Sequence, residues 1–134
     1  MLEVGNATEV SLNAQQTIPF TLVSYDTNAD SHFDTSTNSM IIDRSGYYIV
    51  SGNFTFAPTS TGDASIYLYV DGEELPTATA TFTCGEAEQK FNFVIAPKVV
   101  RTVPTFLNST VPVKFVVSAA GTLYNANAVL IRTR

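Results

Sequence analysis

Thr77-Ala78-Thr79-Ala80-Thr81-Phe82-Thr83-Cys84 alternates without a break: the threonines take one side, and Ala78, Ala80, Phe82 and Cys84 take the other. Successive side chains of an extended chain point to opposite faces, so a period of two marks a half-buried β-strand. The same period recurs outward from this stretch. Tyr48, Val50, Gly52, Phe54 and Phe56 share one face of Tyr47–Phe56, and Ile66, Leu68 and Val70 line a strand that ends at Asp71-Gly72, a tight-hairpin pair. Phe91, Phe93 and Ile95 line a strand expected to stop at Pro97. Val111, Val113, Phe115 and Val117 line one expected to stop at Gly121, and Asn127–Ile131 forms the last. Shorter extended segments fall near Glu9–Leu12, Ile18–Val23 and Met40–Asp43. Helical spacing is hard to find, and there is no internal repeat. About eight to ten short strands separated by Gly, Pro, Asn and Asp turns predict an all-β sandwich, jelly roll or barrel.

The chain has 134 residues, of which 45% are hydrophobic and 14% charged. That length suits one domain, residues 1–134, with residues 1–16 read as an extended N-terminal arm or attachment segment. There is apolar material for a proper core, and Thr, Ser and Asn stand where a small monomer would carry charge, as in β-rich extracellular or virion proteins. The formal net charge is −5, and Lys and Arg are absent from Met1 through Asp43, so no basic stripe for nucleic acid exists. Most of the basic residues follow Gln89, which leaves the N-terminal third acidic and the C-terminal third basic. No apolar stretch is long enough to insert in a membrane as a helix, and no secretory signal pattern is visible. The single cysteine, Cys84, rules out an internal disulfide framework, and its place on the apolar side of its strand reads as a small core residue.

Two strands read as apolar on both faces: Tyr47-Tyr48-Ile49-Val50 and Ala128-Val129-Leu130-Ile131. The outer face of a two-sheet sandwich should be wet. A second partner surface is therefore expected, with Tyr48, Val129, Leu130 and Ile131 at an interface between subunits.

The order of motifs resembles the tumour-necrosis-factor-like jelly roll, especially its complement globular-head branch. The likeness is carried by Asp43-Arg44-Ser45-Gly46-Tyr47-Tyr48-Ile49-Val50, by Ile66-Tyr67-Leu68-Tyr69-Val70-Asp71-Gly72, and by Gly121-Thr122-Leu123-Tyr124 running into Ala128–Ile131. Val50 stands where the animal proteins favour Phe, and Thr- and Ala-rich strands replace much of their aromatic content, which points to a phage or bacterial branch. The resemblance implies two packed antiparallel sheets in a jelly-roll sandwich, a homotrimer with one sheet facing the three-fold axis, and a binding head rather than an enzyme.

Candidate sites were weighed against ordinary structural roles. Asp26, Asn28, Asp30 and Asp34 alternate like the opening of a calcium loop, but Ser31 and Thr37 occupy positions where that loop wants Gly and an acidic ligand. The alternative is a polar surface loop. His32, the only histidine, lies in the same segment without a Gly-x-Ser-x-Gly element. Asp71, Glu73 and Glu74 bracket a turn, where acidic residues are ordinary. Tyr67 and Tyr69 lie opposite Ile66, Leu68 and Val70 and are candidates for a ligand-binding surface, glycan included. Sequons at Asn6, Asn53 and Asn108 matter only in a eukaryotic secretory host.

No catalytic residues are expected. The expected function is a non-enzymatic trimeric virion module: a phage head-decoration, head-fibre or fibre-tip protein. Its expected partners are itself, capsid or fibre proteins, and a host-surface glycan or protein. The alternatives are a bacterial surface or spore-coat binding head and, with least support, a cell-surface depolymerase.

Overall fold

The computed structural model describes residues 1–27, 30–102 and 110–133. Its strands are β1 (Leu2–Asn6), β2 (Val10–Leu12), β3 (Leu22–Asp26), β4 (Ser31–Asp34), β5 (Ser39–Ile42), β6 (Gly46–Pro58), β7 (Gly62–Val70), β8 (Glu73–Cys84), β9 (Phe91–Thr102), β10 (Val111–Val117) and β11 (Gly121–Arg132). They form two antiparallel sheets. One is six-stranded in the order β3-β1-β11-β6-β9, with β2 also paired to β11; the other is five-stranded in the order β4-β5-β10-β7-β8. Among the described residues no helix is long and apolar enough to cross a membrane.

The alternation read from the sequence sets which residues meet between the sheets. Tyr48, Val50, Phe54 and Phe56 of β6 and Ala128 and Leu130 of β11 point inward, against Ile66 and Leu68 of β7 and Val113 and Phe115 of β10. Phe54 and Phe115 meet with ring centroids 5.0 Å apart, above Gly52, which has no side chain to obstruct them. The β7–β8 hairpin turns on Asp71 and Gly72, both at positive φ (55° and 81°), the conformation that a two-residue turn of this hand needs.

Several boundaries differ from the sequence expectation, β11 opening at Gly121 and not at Asn127. Residues 1–16 carry two strands. β1 lies between β11 and β3 with Leu2 and Val4 fully buried, and β2 pairs with β11. β9 does not stop at Pro97 but runs on to Thr102. Pro97 falls on an edge strand at a bulge, where Val50 pairs with Lys98 and Gly52 with Ile95, so its missing N–H interrupts no ladder. The polar segment around His32 contains a strand, β4, paired to β5.

Gly121 opens β11 where the chain passes closely over β6. A Cβ there would lie 2.9 Å from Pro58 Cα and closer still to the Ala57 carbonyl oxygen. Backbone cannot swing aside as a side chain can. Gly121→Ala is therefore expected to destabilise the fold by about 1–3 kcal/mol, seen as a lower urea midpoint with little change in slope.

Candidate functional site

Most large hydrophobic side chains exposed among the described residues gather on the outer face of the six-stranded sheet. Val99 is 68% exposed, Leu22 56%, Val94 56% and Tyr25 53%, with Tyr47 and Ile131 also open to solvent. The strand registers bring several of them together, while Leu22 and Val94 flank Asn127 and Asn53 at the two edges of the sheet. Ile131 lies opposite Ile49, and Ile49 opposite Val99; Val129 lies between Glu3 and Ser51, and Glu3 pairs with Tyr25. The Arg101 guanidinium is 6.0 Å from the Tyr47 ring at the rim of this patch. Further along the same face the surface turns polar: Asn127 sits opposite Asn53, and Thr55 between Asn125 and Asn92.

This face divides the expected interface residues. Val129 and Ile131 belong to it. Tyr48 and Leu130 do not: both are fully buried between the sheets and serve the core. The Tyr48 hydroxyl donates to the Arg44 carbonyl at 2.7 Å, and burial pushes its phenol above the ordinary value. In sequence a doubly apolar strand looks like one surface, but the pleat sends alternate residues to opposite sides.

Tyr67 and Tyr69 are half-buried on the outward side of the five-stranded sheet. Tyr69 lies directly opposite Lys114, whose ammonium is 5.8 Å from its ring centre.

The residues considered for calcium are dispersed, apart from Asn28, which lies outside the described residues. β4 runs between Asp30 and Asp34, and four residues of extended chain put their backbones about 13 Å apart. Asp30 is within 3.6 Å of Arg44 and 3.7 Å of Arg132. Asp34 uses its carboxylate in the β4–β5 turn: Oδ1 accepts from the Ser36 amide (3.0 Å) and hydroxyl (2.7 Å), and Oδ2 from the Thr37 hydroxyl (3.0 Å). Asp26 ends β3 in the other sheet. Among the described residues no group of three or more His, Cys, Asp or Glu side chains is placed to hold a metal.

The residues that could carry chemistry are also kept apart. His32 on β4 and Cys84 on β8 lie at opposite edges of the five-stranded sheet, about 19 Å apart by strand spacing. His32 Nδ1 contacts Asp43 at 2.6 Å on an exposed surface, and Cys84 donates to the Glu86 carbonyl. Glu73 and Glu74 are successive residues of β8 and leave opposite faces. Asn6 is buried, accepting from the Thr8 amide, whereas Asn53 is exposed on the six-stranded sheet; Asn108 lies outside the described residues.

Comparison with solved structures agrees with this strand arrangement. The globular domain of zebrafish complement 1qA protein superposes with a TM-score of 0.74 at 14% identity, covering 99% of this chain and 96% of that one. The fold is the tumour-necrosis-factor-like jelly roll. Eiger TNF from S. frugiperda shares it at a TM-score of 0.76 and 9% identity, covering 99% of this chain and 91% of that one. A family 35 carbohydrate binding module from an environmental isolate reaches a TM-score of only 0.44, and nothing about this chain follows from it. No family model and no curated protein matches the sequence.

The Asp34 carboxyl is held below its ordinary value of 3.8, first by the Ser36 hydroxyl and then by the Ser36 amide. A carboxyl depressed by folding adds stability above its unfolded value, and that stability is lost as pH falls through the folded value. Loss of protection at the Ser36 amide, measured against its intrinsic exchange rate, is therefore expected in the native protein only at a pH below the ordinary carboxylate value. Asp34→Ala should produce it at neutral pH.

Proposed function

We propose that this protein is a non-catalytic docking module that assembles as a homotrimer through the outer face of its six-stranded sheet, and that it serves as a virion structural protein: a phage head-decoration, head-fibre or fibre-tip module. The observation that carries the assembly is the cluster of Val129, Ile131, Ile49, Tyr47 and Val99 on the adjacent strands β11, β6 and β9, with Tyr25 beyond Glu3 on the same face. A cluster of exposed apolar side chains of this kind costs solubility unless another surface covers it. Three copies about one axis are the arrangement that the resemblance to the tumour-necrosis-factor-like jelly roll favours, with one sheet of each subunit turned inward.

Docking rather than catalysis is supported by the separation of His32 from Cys84 and by the turn and ion-pair roles of Asp34 and Asp30. The virion setting is supported by the low charge, the Thr, Ser and Asn that replace it, and the departures from the animal sequences at Val50 and in the Thr-rich β8. Capsid or fibre proteins are the partners this setting implies.

Light scattering at low micromolar concentration tests the assembly. The native chain should have the mass of a trimer. Ile131→Asp combined with Val99→Asp should give a folded monomer, because both side chains are solvent-exposed in the subunit. Leu130→Asp should instead prevent folding, because it places an unpaired charge in the core. A native monomer, or a double variant that remains trimeric, would overturn the reading.

A further inference from the structure

An open cavity of about 270 Å3 lies on the outward side of the five-stranded sheet, away from the apolar face assigned above to assembly. Its floor is Ile41 and Pro112, directly paired across β5 and β10. Around that floor stand Asp34 and Thr37 from the β4–β5 turn, Thr110, and Lys114, which leans over Tyr69. We propose that this cavity binds a single neutral pyranose unit, such as a terminal sugar of a surface glycan. The inference deepens the docking reading and rests on it.

The chemistry of the lining narrows the ligand. Asp34 is kept ionised by the hydrogen bonds of its own turn, so it can only accept. Lys114 can only donate. One fixed charge of each sign leaves the cavity without a net preference for an anion or a cation. Groups that donate to one side and accept from the other suit it, and adjacent sugar hydroxyls do both.

Capacity remains at Asp34. An ionised carboxylate offers about four lone-pair positions, about two on each oxygen. Oδ1 accepts two hydrogen bonds and Oδ2 one, from Thr37, so Oδ2 can take another. The Thr110 hydroxyl can serve in either sense, whereas the Thr37 hydroxyl, already donating to Asp34, is left to accept. Ile41 and Pro112 give an apolar floor for the C–H face of the ring, in the usual pattern of a mostly apolar site with few convergent polar groups. The volume is of the order of one sugar ring, too small for several.

The test uses the full chain with isotope-labelled isoleucine methyl groups. It is titrated separately with the methyl pyranosides of glucose, galactose, mannose and N-acetylglucosamine, and with acetate and methylammonium as single-charge probes. At least one pyranoside should shift the Ile41 methyl signals saturably at millimolar concentration, while acetate and methylammonium do not. Lys114→Met, which keeps most of the stem over Tyr69, should weaken that binding about tenfold or more without changing the melting temperature. The ligand class is overturned if no pyranoside acts or if a charged probe alone does. A shift confined to Ile131 or Ile49 overturns the site but leaves the docking reading standing. Light scattering on the same samples reads the assembly separately, so failure of the sugar site and failure of the trimer are told apart.

Discussion

The antiparallel ladder between β6 and β11, from Gly121 opposite Pro58 to Arg132 opposite Tyr48, sets the register of the whole molecule. Both strands are central: β6 has β9 on its other side, and β11 has β1 and β2. Because side chains alternate, fixing Tyr48, Val50, Ala128 and Leu130 inward fixes Tyr47, Ile49, Val129 and Ile131 outward. A slip of one residue would exchange the two sets and put Ser51 and Asn127 into the core. Burial of Phe54 against Phe115 and closure of Gly121 over β6 both depend on this one pairing.

The same ladder produces the surface that the protein is proposed to use. An apolar residue at each position of a short run completes a core on one side and leaves a hydrophobic strip on the other. β3 and β9 add Tyr25, Leu22 and Val99 to the same face, and Glu3 of β1 and Asn127 of β11 put polar groups among them. The five-stranded sheet is different in kind. Its outward side carries Tyr67, Tyr69, Lys114 and the Thr-rich face of β8, a mixed surface that can remain in water. The proposed division follows: one sheet meets copies of the chain, and the other stays available for a ligand.

Strands with strict alternation were legible in the sequence, as β6, β7 and β10 show. There the buried face read from Val50 and Phe54, Ile66 and Leu68, or Val113 and Phe115 is the one observed. In β8 the alternation marked the strand, but Phe82 on its apolar side stays exposed. Other elements were hidden for physical reasons. β1 has only Leu2 and Val4 to announce it, and its partners are β11 and β3, so its existence depends on tertiary pairing. β4 is short and polar, an edge strand held by its ladder to β5. β9 passes Pro97 because an edge position at a bulge tolerates a missing donor. The acids Asp26, Asp30 and Asp34 carried the spacing of a cation loop; Asp34 spends its carboxylate in the turn after β4, and Asp30 lies beside Arg44 and Arg132. At the site, the sequence showed strands apolar on both faces without showing which side each residue took, which is why Tyr48 and Leu130, expected at an interface, lie in the core. The cavity beside Lys114 was not legible at all, since it joins Asp34, Ile41 and Pro112 from separate strands.

Hydroxyl-radical footprinting of the native protein measures most directly which face is covered. In the isolated subunit Tyr25 is 53% and Tyr47 41% exposed, while Tyr67 and Tyr69 are half-buried on the other sheet. If the six-stranded sheet is the assembly surface, Tyr25 and Tyr47 will be oxidised far more slowly than their subunit exposure implies, and Tyr67 and Tyr69 at the rate theirs implies. Free oxidation of Tyr25 and Tyr47 at concentrations where the protein is assembled would contradict the account.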